Sequence, residues 1–431
     1  MSNEKGATHV SLSPGYRVVK RILLVHQNFP GQFPHIADAC VKAGYKVAAI
    51  GGQTAKGRPG VDVRRWSLNR GTTAGLFDPA TRAEADLMRA YAAAEAAVKL
   101  KADGFLPDLI VGHPGWGETL QLNEIFPGVP QIMFGEFYYQ SHGADVGFDP
   151  EFERNGLQAD MRVHAKNMGL ALAYATAERI ICPTPFQASG LPDVFQPRIR
   201  TFHEGVDMDR SVKKANARLR VTGGRFLDGS RPVITFINRN FERLRGFHIF
   251  MRALPELQRN CPDADVVIIG SDGSGGYGGQ LEGGQTWKTR MLAELGDTVD
   301  LSRVHFVGKL EHADMISALS LSWGHVYYTY PFILSWSVVE AMACECLIIG
   351  SDTAPVRDAI TDGVNGVLND FFDVPALSQA MIDACQRPRD FDPLRLQARA
   401  TALALYDRHT VGVPRWMEAI SEVLQSSSRA N

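Results

Sequence analysis

Two arginines lie close together in the sequence, just after a short apolar run. The run at 233–237 predicts a strand, and Arg239 and Arg245 occupy the loop that follows it, before Gly246. Guanidinium groups bind phosphate oxygens through paired hydrogen bonds, and a glycine lets the backbone turn tightly. The two side chains are therefore candidates to clamp a diphosphate. Spacing alone favours the simpler interpretation, a solvated loop with local ion pairs.

The segment 331–343 combines polar side chains with the start of a predicted helix. Ser337 and Glu340 have the spacing of a capping box, in which both side chains bind backbone N–H groups of the first turn. A helix N-terminus that faces a cleft also binds anions, because its free N–H groups point outward. Spacing alone favours the cap; the functional alternative is an anion at the helix start near Ser337 and ribose hydroxyls on Glu340.

The elements that would position these residues form two series of alternating strands and helices. The first series predicts strands at 21–25, 46–50, 61–66, 109–112, 131–134 and 180–182, with long helices over 80–103 and 157–178. The second predicts strands at 233–237, 266–269, 304–307, 325–328 and 347–350, and a last helix at 412–425. Such alternation predicts parallel sheets covered by helices on both faces. We therefore expect an α/β protein of two Rossmann-like domains, with ligands bound in the cleft beyond the carboxyl ends of the strands.

Turn-forming glycines near 223–229 place the domain boundary at about 205–228. We expect an N-terminal extension at 1–20, a first domain at 21–205 and a second domain at 206–400. Residues 401–431 form a predicted C-terminal helix that can pack back on the first domain, followed by a disordered tail.

The composition excludes several classes of protein. Of 431 residues, 45% are hydrophobic and 21% are charged, with a formal net charge of −2, which is typical of a folded soluble protein. The absence of a basic block argues against a nucleic-acid partner. The sequence begins without a secretory signal and contains no long apolar run, so we expect a cytoplasmic protein. Six cysteines without a C-x-x-C pair predict buried, reduced thiols.

The second series resembles the C-terminal half of the retaining GT-B glycosyltransferases of the GT4-like group, also called glycosyl transferases group 1. The matching motifs are His203-Glu-Gly-Val-Asp207, Asn238-Arg239, Arg245-Gly246, Phe306-Val307-Gly308, Glu340-Ala-Met-Ala343, Ser351-Asp352 and Asp362-Gly363-Val-Asn-Gly366. Arg245 stands where the family has a lysine, so the positive charge is kept. Ordered matches of this kind are far more specific than any single one, and the order of elements agrees over most of residues 20–400.

The resemblance implies a GT-B fold and transfer of a hexose from a nucleoside-diphosphate sugar to an acceptor hydroxyl, with retention and without a metal or other cofactor. Arg239, Arg245, Gly308 and the helix start at Ser337 would bind the donor, and Glu340 would anchor its ribose. Because negative charge grows on the leaving phosphate, cations and N–H groups already in place lower the barrier. The leaving phosphate can itself take the acceptor's proton, so no strong protein base is required.

In the N-terminal half the resemblance is looser and points to three residues. Gly31 lies beyond the first strand, where the family has a glycine-rich loop near the donor phosphates; a plain turn is the alternative. His113 ends a strand before a glycine-rich loop, and Glu136 stands where the family often places a His or Asp that faces the sugar. We expect His113 and Glu136 to orient and stabilise the sugar cation, with a structural role as the alternative for each.

Two positions depart from the family pattern. Phe332 stands where the first Glu of the family's Glu-x7-Glu element falls, and a phenyl ring cannot accept a hydrogen bond as that carboxylate does. Backbone N–H groups of residues 333–336 are the replacement we consider. Ala354-Pro355 replaces the usual Gly-Gly and makes that loop stiffer. A non-catalytic nucleotide-sugar binding protein, and a GT-B-like sugar-nucleotide epimerase or phosphorylase, stay open as alternatives.

Three other patterns carry less weight. The G-x-G-x-x-G pattern at 273–278 follows the second strand of its series, which favours a loop near the donor over a nicotinamide site. The D-x-D pairs at 207–209 and 263–265 lie at element starts, where Asp caps are common, so no metal site is predicted.

By family resemblance the acceptor is a sugar, a glycan or a lipid-linked sugar in polysaccharide biosynthesis. Peripheral membrane contact through Arg58, Arg64, Arg65 and Trp66 is less favoured than a solvated edge.

Overall fold

The computed structural model describes residues 19–152, 156–273 and 281–430. The predicted N-terminal extension lies almost entirely outside these residues, and so does the G-x-G-x-x-G pattern after Gly273. The described chain forms two parallel α/β sheets, each covered by helices, together with one short hairpin.

The first sheet has seven parallel strands in the spatial order β3-β2-β1-β4-β5-β6-β7. Its strands are β1 (Arg21–Val25), β2 (Lys46–Gly51), β3 (Val61–Arg65), β4 (Leu109–Gly112), β5 (Gln131–Phe134), β6 (Arg179–Cys182) and β7 (Ile199–Thr201). Its helices are α1 (Pro34–Lys42), α2 (Thr81–Ala102), α3 (Leu122–Ile125), α4 (Leu157–Thr176) and α5 (Pro185–Ser189). The central strands are almost entirely apolar, as expected for strands whose two faces are both covered by helices.

The second sheet has six parallel strands in the order β12-β11-β10-β13-β14-β15. The hairpin β8 (Leu219–Arg220) and β9 (Phe226–Leu227) precedes β10 (Val233–Asn240), β11 (Asp265–Ser271), β12 (Val304–Gly308), β13 (Gly324–Tyr327), β14 (Ile348–Ser351) and β15 (Val367–Asn369). The helices are α6 (Phe247–Asn260), α7 (Trp287–Leu295), α8 (His312–Leu321), α9 (Trp336–Ala343), α10 (Ala354–Arg357), α11 (Val374–Gln386), α12 (Asp392–Tyr406) and α13 (Val413–Ala430).

Every predicted strand is present, and the differences lie at the sheet edges, in the hairpin and at the end of the chain. β7, β15 and the hairpin strands β8 and β9 were not predicted, because each has only two or three residues and none forms a longer apolar run. The final helix continues to Ala430, so the prediction of a disordered tail after residue 425 is wrong. No glycine or proline follows Pro414 to end this helix before Ala430.

The last helix and a segment after β5 both join the domains. The last helix, α13, returns to the N-terminal sheet, where the fully buried ring of Trp416 packs with Phe33, Phe134 and Phe202. Residues 137–152, here called the crossing segment, leave the N-terminal domain after β5 and pack on the C-terminal domain.

The crossing segment combines apolar and polar contacts. Its Phe137 ring lies 4.6 Å from the ring of Phe332, measured between centroids. Asp149 accepts a hydrogen bond of 2.5 Å from the hydroxyl of Tyr330, and both residues are buried. Burial of apolar rings together with a satisfied carboxylate makes this a stable contact between the domains.

All six cysteines are buried with free thiols, as expected. Within the described ranges, no helix combines the length and the apolar character needed to cross a bilayer.

Candidate functional site

Each sheet reverses its strand order at one place. In the N-terminal sheet, β1 lies between β2 and β4, and in the C-terminal sheet β10 lies between β11 and β13. Open α/β sheets bind ligands at the carboxyl ends of the strands beside such a reversal, because neighbouring loops diverge there and leave a crevice. Here the two crevices form a single cleft.

The cleft between the domains has a volume of about 370 Å³. Its N-terminal side includes Gln32, Glu136 and Glu204, and its C-terminal side includes Arg239, Arg245 and Ser337. Four of the eight residues predicted to form the site therefore lie on this one surface.

A larger cavity, of about 510 Å³, lies elsewhere in the C-terminal domain. Its lining includes Gly229 and Trp323, which precede β10 and β13, so it lies at the amino ends of these strands. The basic side chains there already bind protein groups: Lys214 donates to the carbonyl of Ala313, and Arg399 to that of Ala343. The inter-domain cleft is therefore the better candidate.

On the N-terminal side a chain of hydrogen bonds leads to Glu136. The N–H of Asn28 donates to His26 Nδ1 at 2.9 Å, so the ring proton is on Nε2, which lies 2.5 Å from Gln32 Oε1. The Gln32 amide nitrogen in turn donates to Glu136 Oε1 at 2.8 Å. Burial, and then the nearby His113, lower the pKa of His26 to about 3, so this ring is neutral.

His113 approaches the other oxygen of Glu136. Its Nδ1 accepts a hydrogen bond from the N–H of Gly115 at 3.1 Å, so Nε2 carries the proton. Nε2 lies 3.3 Å from Glu136 Oε2, and the ring stacks on Trp116 with centroids 4.6 Å apart. His113 is almost fully buried, whereas Glu136 is partly exposed at the cleft.

Glu136 is charged in this setting. Burial opposes ionisation, but the contacts with His113, His26 and Gln32 outweigh it and lower the pKa of the Glu136 carboxyl below its ordinary value. The backbone of Glu136 is also held, because the Gln187 amide donates to its carbonyl oxygen. A fixed carboxylate therefore faces the cleft, next to a histidine whose Nε2–H can donate a hydrogen bond.

Gly31 has a packing role. Its φ of 48° is in the left-handed region, and a side chain there would meet the ring of His26, with Nε2 only 2.1 Å from an added Cβ. Its N–H donates to the carbonyl of Asn28. This turn makes room for the His26 ring, and Gly31 is not among the residues that line the cleft.

The two arginines differ in their surroundings. Arg239 is exposed at the end of β10, and its guanidinium has no ion-pair or hydrogen-bond partner within residues 19–152, 156–273 and 281–430. Arg245 is buried, and its Nη1 donates to the hydroxyls of Tyr327 and Thr329 and to the carbonyl of Ile333. Arg239 is available to an anion, whereas Arg245 holds the loop before α9.

The start of α9 differs from the predicted capping box. The cap is Ser335, whose Oγ accepts the N–H of Ser337 at 3.3 Å, so the prediction of Ser337 as the cap is wrong. The extended backbone of Ser335 ends the loop and places its oxygen over the first turn. Glu340 lies in the second turn, where His312 Nε2 approaches its Oε1 at 2.8 Å.

Gly308 and Phe332 are not among the residues that line the cleft. Gly308 ends β12 with a φ of 72° and open space around its Cα, at the same edge of the sheet as Arg239. Phe332 is buried between the ring of Phe137 and the guanidinium of Arg245, whose central carbon is 5.6 Å from the ring centroid. The ring that replaces the family's carboxylate therefore joins the two domains.

Sequence reasoning missed His26, Gln32 and a contact across the cleft. Trp336 Nε1 donates to Glu204 Oε1 at 2.6 Å, while Glu204 Oε2 has no hydrogen-bond partner among the residues described. A signal for His26 was present, because it directly follows β1, as His113 follows β4. Applying the strand-end rule to every strand finds both.

The first D-x-D pair and the basic edge at Arg58 and Trp66 both lie outside the cleft lining. Asp207 and Asp209 of the first D-x-D pair come within 4.8 Å of His409 through their possible ligand atoms, away from the cleft lining. On the proposed membrane edge, Arg58 pairs with Asp38, and Trp66 is buried.

The fold and the two facing crevices define a protein of the GT-B class. The solved structures with this fold include sucrose-phosphate synthase from Thermosynechococcus elongatus, with a TM-score of 0.70 and 16% identity over 96% of this chain and 100% of that one. The UDP-forming trehalose-phosphate synthase from Burkholderia xenovorans has a TM-score of 0.67 and 14% identity over 95% and 100% of the two chains. At these identities the likeness shows the fold alone.

The family models identify the chain more closely. The model described as "Glycosyl transferase family 4 group" matches residues 43–211, and that described as "Glycosyl transferases group 1" matches residues 231–387. The chain belongs to this GT4-like family of glycosyltransferases.

Curated relatives match over part of their length. A phosphatidyl-myo-inositol mannosyltransferase from Propionibacterium freudenreichii is 29% identical over 44% of this chain and 43% of its own length. A GDP-mannose-dependent alpha-(1-6)-phosphatidylinositol monomannoside mannosyltransferase from Mycolicibacterium smegmatis is 28% identical over 48% of this chain and 49% of its own. The chain thus spans about half the length of these relatives.

Proposed function

We propose that this protein transfers a hexose from a nucleoside-diphosphate sugar to an acceptor hydroxyl with retention at the anomeric carbon and without a metal. The observation that carries the proposal is the pairing of charges across one cleft: on one side Arg239, which has no partner among the described residues, and on the other the ionised Glu136 beside His113. A donor sugar nucleotide needs both, a cation at its diphosphate and a negative charge near its anomeric carbon.

The reaction assigns each group a task. The bond from the anomeric carbon to the diphosphate oxygen breaks, and its electron pair stays on the diphosphate, where Arg239 balances the growing charge. The acceptor oxygen bonds to the anomeric carbon on the same face, and its proton passes to the leaving phosphate oxygen. Glu136 stabilises the positive charge that develops on the sugar, and His113 orients the sugar ring. Glu340 and Gly308 contact the nucleoside, once His312 yields its contact with Glu340.

The relatives suggest which substrates to test first. One is named for its use of GDP-mannose, and others are named D-inositol 3-phosphate glycosyltransferases. We therefore propose a mannose or glucose nucleotide as donor and an inositol-containing, glycan or lipid-linked acceptor, used in polysaccharide or glycolipid synthesis at the cytoplasmic side of a membrane.

Nucleotide binding tests the donor site. Thermal unfolding is measured with GDP, UDP, ADP and dTDP on the wild type, on Arg239→Ala and on Arg162→Ala, an exposed arginine of α4 used as the control. A ligand of the native state raises the melting temperature with its concentration relative to Kd. One nucleotide should raise it in the wild type and the control but not in Arg239→Ala. No rise with any nucleotide at millimolar concentration would remove the donor site from the proposal.

Product analysis then separates the alternatives. The matching nucleotide sugar is incubated with inositol phosphate, inositol lipid and glycan acceptors, with and without EDTA, and the anomeric configuration of the product is read by NMR. Transfer with retention that survives EDTA supports the proposal. A changed sugar without an acceptor indicates an epimerase, and release of a sugar phosphate from a glycan and phosphate indicates a phosphorylase. Tight binding without turnover indicates a non-catalytic binding protein.

A further inference from the structure

The hydrogen-bond chain behind Glu136 has a fixed direction. Because Asn28 donates to His26 Nδ1, the His26 proton must be on Nε2, and that atom can only donate to Gln32 Oε1. The Gln32 amide is thereby oriented with its nitrogen toward Glu136 Oε1. Each donor and acceptor in this chain is determined by the one before it, starting from a backbone N–H.

The packing holds this chain in place. His26 is about 1% exposed, and its ring occupies the space that a side chain at position 31 would need. The His26 and His113 rings lie 5.1 Å apart, and Trp116 contacts both of them. A neutral His26 fits this site, because burial disfavours the charged form of the ring and Nδ1 is already an acceptor.

The chain leaves Glu136 with one oxygen free to act. Oε1 is taken by Gln32, while Oε2 is 3.3 Å from His113 Nε2 and makes no aligned hydrogen bond with it. An amide donor at Oε1 stabilises the charged form of the carboxyl and prevents its rotation. The titratable groups near Glu136 are His26, His113 and Tyr174 of α4, and the lining of the cleft adds His203, Glu204, Arg239, Glu242 and Arg245.

We propose that Gln32 and His26 are positioning residues that hold Glu136 ionised and in one orientation, with Oε2 directed to His113 and the substrate. The inference deepens the proposed transferase function and depends on it for its kinetic consequences. Neither residue needs to touch the substrate. Their effect passes through Glu136, which distinguishes them from residues that bind the donor.

The kinetic test compares Gln32→Leu with Gln131→Leu. Gln131 is also a buried glutamine with a side-chain partner, Asn123, but it lies at the opposite end of β5. Loss of one hydrogen bond to a charged group should move the acid limb of the kcat profile upward by about 1–2 pH units in Gln32→Leu. Its kcat should fall at least about 10-fold while the donor KM stays within about threefold, because the contact supports the transition state. Gln131→Leu should keep the wild-type acid limb.

His26 provides a second pair of variants. His26→Leu removes the donor to Gln32 and should reproduce the shifted profile. His26→Gln places an amide nitrogen near the Nε2 position and should restore most of the wild-type profile. Wild-type profiles in both Gln32→Leu and His26→Leu would overturn the inference while leaving the proposed reaction intact.

A titration without substrate separates the two proposals. The carboxyl of Glu136 is followed by NMR in protein with carbon-13-labelled glutamate, and its signal is assigned by comparison with Glu136→Gln. The pKa of this carboxyl should be higher in Gln32→Leu than in the wild type and unchanged in Gln131→Leu. If the wild type transfers no sugar but this difference is found, the transferase proposal fails and the positioning role stands. Equal titration curves would contradict the positioning role, whatever the activity.

Discussion

The polar side chains on the N-terminal side of the cleft are bonded to one another before any ligand is present, whereas the C-terminal side presents an exposed cation. We call His26, Gln32, His113 and Glu136 the N-terminal lip, and Arg239, Arg245 and residues 333–337 the C-terminal lip. The first is a preorganised network in a buried setting, which suits stabilisation of a transition state. In the C-terminal lip, Arg239 is exposed and can bind an incoming anion, whereas Arg245 supports the loop behind it.

The comparison predicts different kinetic effects for the two lips, and the largest effect belongs to Glu136. Glu136→Gln removes a charge that matters only as the sugar becomes cationic, so kcat should fall by about 10²–10³-fold while nucleotide affinity is unchanged. Glu124→Gln, at an exposed position of α3, is the control. The division into two lips would be refuted if Glu136→Gln weakened nucleotide binding as much as it lowered kcat.

The two arginines should respond differently to the same substitution. Arg239→Ala removes an exposed cation, so the Kd for the nucleoside diphosphate should rise by about 10–100-fold with little change in stability. Arg245→Ala removes a buried donor to three acceptors, so the free energy of unfolding should fall by about 2–3 kcal/mol. Calorimetric titration and urea unfolding measure the two quantities. Equal loss of affinity without loss of stability in both variants would restore the two-arginine clamp suggested by the sequence.

This contrast shows what sequence reasoning can and cannot predict here. The strands were predictable because buried parallel strands are short apolar runs, such as Arg21–Val25, and because a strand end followed by polar residues marks the binding edge. The family motifs placed Arg239 and Arg245 in one loop, but spacing does not reveal burial. Only the fold shows that Arg245 contacts Tyr327, at the end of β13, and Thr329, two residues further on.

Other features that the sequence did not reveal have the same origin. The role of Gly31 depends on the ring of His26, five residues earlier, and the role of Phe332 depends on Phe137 in the other domain. Neither contact follows from local periodicity. The cap of α9 is Ser335, two residues before the predicted Ser337. The loop is held there by Arg245 and by Tyr327, whose hydroxyl accepts the N–H of Ser335 at 2.7 Å. Tertiary contacts thus decided positions that local rules left ambiguous.

The free energy of unfolding should fall at acid pH, in part because of His26 in the N-terminal lip. Burial lowers the pKa of His26 from 6.5 to about 3, and burial likewise lowers those of His35 and His325 to about 3. The unfolded chain therefore binds more protons below pH 6.5, and stability that is complete above this pH is lost as the pH falls toward 3. Each histidine contributes a slope of up to about 1.4 kcal/mol per pH unit.

The measurement is urea unfolding between pH 7.5 and pH 5. The wild type should lose stability on the acid side, and His26→Gln should show a smaller slope, whereas His164→Gln, at an exposed position of α4, should match the wild type. A slope unchanged in His26→Gln would mean that His26 is protonated in the folded protein, contrary to the hydrogen-bond chain.

The smallest expected effect concerns the N-terminal cap of α9, in the C-terminal lip. Ser335→Ala removes the acceptor for the N–H of Ser337 and should lower the free energy of unfolding by about 1 kcal/mol, as other N-cap losses do. Ser337→Ala keeps that acceptor and should cost less, although both serines line the cleft. Urea unfolding of the two variants under the same conditions decides between the caps. A larger cost for Ser337→Ala would support the capping box with Glu340, and would imply that Glu340 is not held by His312 when the helix forms.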